Sequence, residues 1–177
     1  MVTLFNREWS KAELLRRVGR MDQLAGIRRG EAADGKARGS RLLDVWTGSG
    51  LRFQLNADRA LDISSCDFKG IPLCWRSPAG DVHPAYYEPQ DTGWLRTFPG
   101  GLLTTCGLDQ FGLPSQDGGM EFGLHGRISN TPAEQVNHRT HWDGDDYKLE
   151  ISAETRQAAL FNENLVLRRC ISTGLGS

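Results

Sequence analysis

The sequence predicts an all-β protein, an antiparallel β-sandwich with one short helix near the N-terminus. Apolar and polar residues alternate through many short segments, as they do in strands that bury one face. Turn residues separate these segments roughly every eight to twelve positions, which is typical of sandwiches and barrels. Helical periodicity occurs at one place only. Because no linker, repeat or low-complexity tract divides the chain, we treat residues 1–177 as a single domain.

The predicted helix follows Ser10. The segment Ser10-Lys11-Ala12-Glu13 matches a capping box, in which the Ser10 hydroxyl accepts from the backbone of Glu13 and the Glu13 carboxylate reaches back to Ser10. The apolar residues that come next form one face, and Gly19 can end the helix.

After the helix the hydropathy period falls from about 3.6 to 2, which indicates strands. Lys69-Gly70 and Gly144-Asp145-Asp146 are typical of turns between paired strands. The predicted strands are 23–29, 41–46, 51–55, 61–68, 71–75, 102–106, 136–142, 147–153, 155–161 and 164–171. Residues 30–39, 77–93 and 107–123 are predicted loops because they are rich in glycine, proline and polar residues.

The last strand alternates up to the end of the chain, with no later segment to cover its edge. We expect the sheet to continue in further residues, although a frayed C-terminus would give the same pattern. An uncovered edge would also favour a homo-oligomer.

Charge and composition limit the classes of molecule that the protein is expected to bind. A net charge of −1 gives no general attraction to nucleic acid or to an anionic membrane. No apolar run approaches the roughly 20 residues that span a bilayer, and the N-terminus does not resemble a secretory signal. We therefore expect a cytoplasmic protein whose partner is a small molecule.

The four cysteines form no CxxC pair, and we expect buried, reduced thiols. No cluster of ligands at short spacing indicates a metal.

Three segments contain residues that could bind a ligand or take part in catalysis. In the first, residues 57–63, Arg59 could fork onto sugar hydroxyls with Asp62 holding it in place; a surface ion pair is the alternative. In the second, Gly100 and Gly101 permit close approach of a ligand or of another strand, and Thr105 offers a hydroxyl at a strand end.

The third segment, residues 124–130, contains the strongest candidates. His125 and Arg127 would project to the same side if the segment were extended. Histidine exchanges protons near neutral pH, and arginine binds and orients oxygen atoms. Elsewhere, His83 lies in a proline-flanked loop that could line a cleft. Trp75 could stack on a sugar ring or pack in the core.

The chain resembles an uncharacterised aldose-1-epimerase-like family of the galactose-mutarotase superfamily. The resemblance rests on Arg59-Ala60-Leu61-Asp62-Ile63, Trp75-Arg76-Ser77-Pro78-Ala79-Gly80, the block from Phe98 to Leu108 that contains Thr104-Thr105-Cys106-Gly107-Leu108, and Leu124-His125-Gly126-Arg127. It covers nearly the whole chain. It implies a β-sandwich with a concave sugar-binding face.

The resemblance also implies an activity, the interconversion of sugar anomers without metal or organic cofactor. A carboxylate base takes the proton of the anomeric hydroxyl while a histidine acts as acid at the ring oxygen. His125 matches the histidine of the superfamily's His-Gly motif, and Arg127 and Arg59 look like its companions. Thr105, Trp75 and His83 complete the predicted sugar site.

The resemblance does not identify a catalytic carboxylate base in this chain. In relatives the carboxylate base and a second histidine lie in the second half of the chain, and no glutamate here matches the base motif: Glu134, Glu150, Glu154 and Glu163 all fail. We expect this chain to be an N-terminal portion that is inactive alone. A non-catalytic sugar-binding protein is the alternative.

Overall fold

The computed structural model describes residues 1–177 and confirms the predicted antiparallel β-sandwich. Its larger sheets have five strands, in the order β3-β4-β5-β6-β7, and three strands, in the order β10-β11-β12. β1 pairs with β2, and β8 pairs with β9. The strands are β1 Val2–Leu4, β2 Arg7–Trp9, β3 Gly26–Glu31, β4 Arg41–Trp46, β5 Leu51–Asn56, β6 Asp62–Phe68, β7 Ile71–Pro72, β8 Ser115–Asp117, β9 Met120–Phe122, β10 Glu134–Asp143, β11 Asp146–Ala158 and β12 Asn164–Gly174.

One hydrophobic core joins the two larger sheets. Leu43, Val45 and Leu55 belong to the five-stranded sheet, while Leu149 and Ile151 belong to the three-stranded sheet. Because side chains alternate across each strand, the opposite faces of these strands are left for solvent or for a partner. No helix of the structure has the length and the apolar character needed to cross a bilayer.

The single α-helix, α1 (Lys11–Leu15), has the predicted capping box. The Glu13 N–H donates to Ser10 Oγ at 3.3 Å, and the Ser10 N–H donates to Glu13 Oε2 at 2.9 Å. The helix ends at Leu15, before Gly19.

We expect Ser10→Ala to lower the free energy of unfolding by about 1 kcal/mol, because the substitution leaves helix N–H groups without an acceptor. Urea unfolding followed by circular dichroism measures this loss. Ser152→Ala, at an exposed strand position, is the control. Equal midpoints for the two variants would show that the cap contributes nothing.

Two strand predictions were wrong, each for a local reason. Segments 147–153 and 155–161 are one strand, β11, because inward positions stay buried through Thr155 and Gln157. Segment 102–106 is no strand. It makes a single bridge, from Leu103 to Ile63, after two glycines with positive φ. Those glycines accommodate backbone: a Cβ on Gly101 would lie 2.4 Å from the Ile63 carbonyl oxygen.

All four cysteines are free, but only Cys66 is buried. Cys106 and Cys170 are exposed, so the prediction of four buried thiols was wrong for these two.

Candidate functional site

Five rings from distant parts of the chain form an aromatic row: Trp75, Phe98, Trp94, His125 and Phe111. Successive ring centroids lie 6.1, 4.7, 4.8 and 5.6 Å apart in that order. The two ends of the row are open, since Trp75 is 63% and Phe111 73% exposed. Trp94, at the centre of the row, is buried, so it is the open rings at the two ends that offer apolar faces on which the C–H face of a sugar can stack.

His125 is held by Gly112 in an unusual backbone conformation, with φ at +57°. The His125 N–H donates to the Gly112 carbonyl at 2.9 Å, and the Gly112 N–H donates to His125 Nδ1 at 3.3 Å. Because Nδ1 accepts this bond, we assign the proton of the neutral imidazole to Nε2. Nε2 has no protein partner and is not among the buried unpaired atoms, so it presents an N–H donor at the aromatic row.

Arg127 lies apart from the aromatic row. The segment is a turn, with φ of +57° at His125 and +73° at Gly126, so the condition under which both side chains would project to one side, an extended segment, is not met. The Arg127 guanidinium bonds Glu163 at 2.6 Å and Asp109 at 3.3 Å. All three residues line a groove of about 1020 Å³ beside β8 and β9, which His125 does not line.

Arg59 is fully buried, at 0% exposure, and Asp62 pairs with Arg169, so the alternative of a surface ion pair is wrong and Asp62 does not hold Arg59 in place. Its Nη1 donates to Asn130 Oδ1 at 2.8 Å, and desolvation lowers the pKa of Arg59 below its usual range. Asn130 also accepts from the Thr97 hydroxyl, and the neighbouring Ser129 accepts from Trp94 Nε1 at 2.8 Å. Arg59 therefore supports the backbone that carries the aromatic row and has no surface here that a sugar could touch.

Thr105 and Asp62 form a second buried network. Asp62 Oδ1 accepts from the Thr105 N–H at 2.9 Å, from the Thr105 hydroxyl and from Arg169 Nη1 at 3.1 Å. Arg169 Nη2 also donates to the Thr105 hydroxyl. Burial raises the pKa of Asp62, and the bonds from Thr105 and Arg169 oppose that rise. This network ties β6 to β12. Sequence reasoning missed Arg169, although its inward parity on the last strand was an available signal.

His83 is a local cap. Its Nδ1 accepts from the Ala85 N–H at 3.1 Å, at the start of the short 3-10 helix Pro84–Tyr86, and its backbone N–H bonds Lys36. It makes no ring contact with the aromatic row. Of the predicted site residues, the structure brings only Trp75 and His125 into one row. Phe98 and Phe111 in that row were not predicted.

A family model described as "Domain of unknown function (DUF4432)" matches residues 37–177, which include every residue of the aromatic row. The chain belongs to this family. Among solved structures, this DUF4432 member is similar to a protein from Klebsiella pneumoniae subsp. pneumoniae described as "a putative aldose 1-epimerase", with 25% identity and a TM-score of 0.79. The alignment covers 89% of this chain and 43% of the other, so the DUF4432 member spans less than half the length of that protein. No curated protein matches the chain.

The structural likeness confirms the resemblance found in the sequence of this DUF4432 member. Alternation predicted the sandwich, and the solved relative has the same mutarotase-like arrangement of strands.

Proposed function

We propose that this chain binds a small sugar against the aromatic row and contributes His125 to an aldose 1-epimerase-like interconversion of anomers. The hydrogen bond from the Gly112 N–H to His125 Nδ1 carries the proposal, because it leaves Nε2–H as a donor at the row. The solved relative's description as "a putative aldose 1-epimerase" supports a sugar as the ligand.

In this reaction a base removes the proton of the anomeric hydroxyl, the bond between C1 and the ring oxygen breaks to leave a carbonyl at C1, and the ring oxygen takes up a proton from water. Rotation about C1–C2 and reclosure give the other anomer. The Gly112 N–H occupies the Nδ1 lone pair, so the neutral imidazole is the form that fits this geometry. Its Nε2–H would polarise the ring oxygen as the bond breaks, as a neutral imidazole can do beside a reacting carbonyl.

Sugar binding without turnover is the second candidate. The positions of the carboxylates favour it for these 177 residues, because none is placed to act as a base beside His125. Asp109 and Glu163 are both bonded to Arg127, and no carboxylate forms a hydrogen bond or ion pair with His125. Exchange NMR and polarimetry on glucose, galactose and their 6-phosphates separate the two candidates. For this chain we expect binding with anomer exchange at the buffer rate. Exchange above that rate would mean that a base is present.

We expect His125→Ala to weaken binding of the best of these sugars about tenfold, the loss of one hydrogen bond of about 1.4 kcal/mol. NMR titration gives the dissociation constant. His138→Ala, at an exposed histidine on β10, is the matched control and should bind as the unmodified chain does. Unchanged affinity in His125→Ala, with the fold retained by circular dichroism, would remove His125 from the site.

The cellular setting remains part of the proposal. Four unpaired thiols support a reducing compartment, and we place the protein in the cytoplasm.

β12 is an edge strand whose free backbone groups support pairing with a second copy. Light scattering coupled to size exclusion would detect the dimer.

A further inference from the structure

The outer face of the five-stranded sheet carries a grid of side chains in two rows. The strand register places one residue of each strand from β3 to β6 directly opposite the next, and neighbouring strands lie about 4.8 Å apart. The first row is Arg28, Asp44, Gln54 and Ser65. The second row is Gly26, Trp46, Arg52 and Asp67. Because the rows are two residues apart on each strand, all their side chains share one face.

This face is the floor of a groove of about 640 Å³. Residues 22–24, Gly48, Gly50 and Leu51 line it as well, together with Phe5, which is 76% exposed. Trp46 lies over Gly26, where an added Cβ would meet the Trp46 ring at 2.6 Å. The Trp46 Nε1–H donates to the Asp22 carbonyl at 3.1 Å. Glycine at position 26 therefore lets a tryptophan ring lie along the floor, held at its polar edge.

Donors and acceptors alternate beside that ring. Gln54 donates to Asp44 at 2.8 Å, and neither Arg28 nor Arg52 forms a salt bridge, so both guanidinium groups keep free N–H donors. Arg28 also lies over the Trp46 ring, 5.5 Å from its centroid. An aromatic platform surrounded by planar polar groups satisfies both the C–H face and the hydroxyls of a saccharide.

The charges select among ligands. Asp22, Asp44 and Asp67 line the groove with Arg28 and Arg52, but the Asp22 carboxylate is already paired with Arg20. The other two carboxylates balance the two guanidinium groups, so the groove offers an anion such as phosphate no net positive charge. A neutral polyhydroxyl ligand needs no net charge in the groove. Its hydroxyls can donate to the carboxylates and accept from the guanidinium groups.

We propose that this outer groove is a second, non-catalytic binding site for a neutral carbohydrate, separate from the aromatic row. None of the five rings of the aromatic row lines the groove. The proposal goes beyond the function proposed above and does not depend on His125.

The indole N–H signal of Trp46, assigned with Trp46→Phe, reports on this site in an NMR titration with D-galactose, maltotriose and cellotriose. We expect at least one of these saccharides to shift the signal, and the double variant Asp44→Ala/Arg52→Ala to weaken that binding at least tenfold. Both positions are exposed, so the fold should survive. Arg139→Ala/Glu150→Ala, at an exposed ion pair on the other sheet, is the matched control and should change nothing.

His125→Ala should leave the Trp46 response intact, which distinguishes this site from the aromatic row. The proposal is overturned if no saccharide moves the Trp46 signal, if the double variant binds as well as its control, or if inorganic phosphate moves the signal more than the saccharides do.

Discussion

Replacing Arg169 with methionine is expected to lower the free energy of unfolding by about 3 kcal/mol, because it leaves the Asp62 carboxylate buried without its cation. Asp62 is 1% exposed and Arg169 only 17%, so water cannot replace the lost partner. The same change removes a donor from the Thr105 hydroxyl. Guanidinium chloride unfolding at neutral pH measures the loss.

The pH dependence of this loss follows from Asp62. Its pKa in the folded state is raised above the ordinary value of 3.8, so the folded protein holds this proton more tightly than the unfolded chain does. Stability from Asp62 is therefore greatest at low pH and falls as the pH rises through the raised pKa. Without Arg169 that pKa rises further, so the fall should extend to higher pH. The difference between the two proteins should be smallest at low pH and grow as the pH rises through the raised pKa of Asp62.

Arg168→Met is the matched control, one residue away on the same strand. Arg168 is 76% exposed and pairs with Glu154 at the surface, so its loss should cost less than about 1 kcal/mol. Adding Asp62→Asn to Arg169→Met should recover part of the stability. Equal losses for Arg168→Met and Arg169→Met would contradict the buried network.

Gly126→Ala is expected to lower the free energy of unfolding by about 3 kcal/mol, the sum of left-handed backbone strain and overpacking. Its φ is +73°, and an added Cβ would lie 2.6 Å from Asp109 Oδ1 and 2.8 Å from the Gln110 carbonyl oxygen. The methyl group would push these atoms away from the turn that places His125. Sugar affinity should therefore fall with stability, as measured by chemical unfolding and NMR titration.

Gly80→Ala separates the two causes. Gly80 has a similar φ of +64°, but an added Cβ there meets nothing within 4 Å. Gly80→Ala should lower the free energy of unfolding only by the backbone strain, about 1 kcal/mol, and leave sugar affinity unchanged. If Gly126→Ala were no worse than Gly80→Ala, the close contacts at the turn would have no energetic role.

Local pattern was enough to predict much of the sandwich. β4 was predicted with its observed bounds, and the predictions for β5 and β6 differ from the structure by one residue at one end, because one face of each strand is buried and alternation records that face. The capping box was also readable, since both partners lie within four residues. β1, β2, β8 and β9 were missed because strands of three residues are too short to show a period.

The candidate site also has a part that the sequence predicted and a part that only the structure revealed. The sequence alone singled out His125 in a glycine-rich segment and Trp75 as a ring that could stack on a sugar, and it predicted a sandwich to carry them. Only the tertiary structure decided that these rings join Phe98, Trp94 and Phe111, that Arg127 turns into a separate groove, and that Arg59 is buried. Periodicity reports which face of a strand is apolar, whereas these contacts depend on how loops with positive φ fold over the sheets, and that geometry leaves no repeat in the sequence.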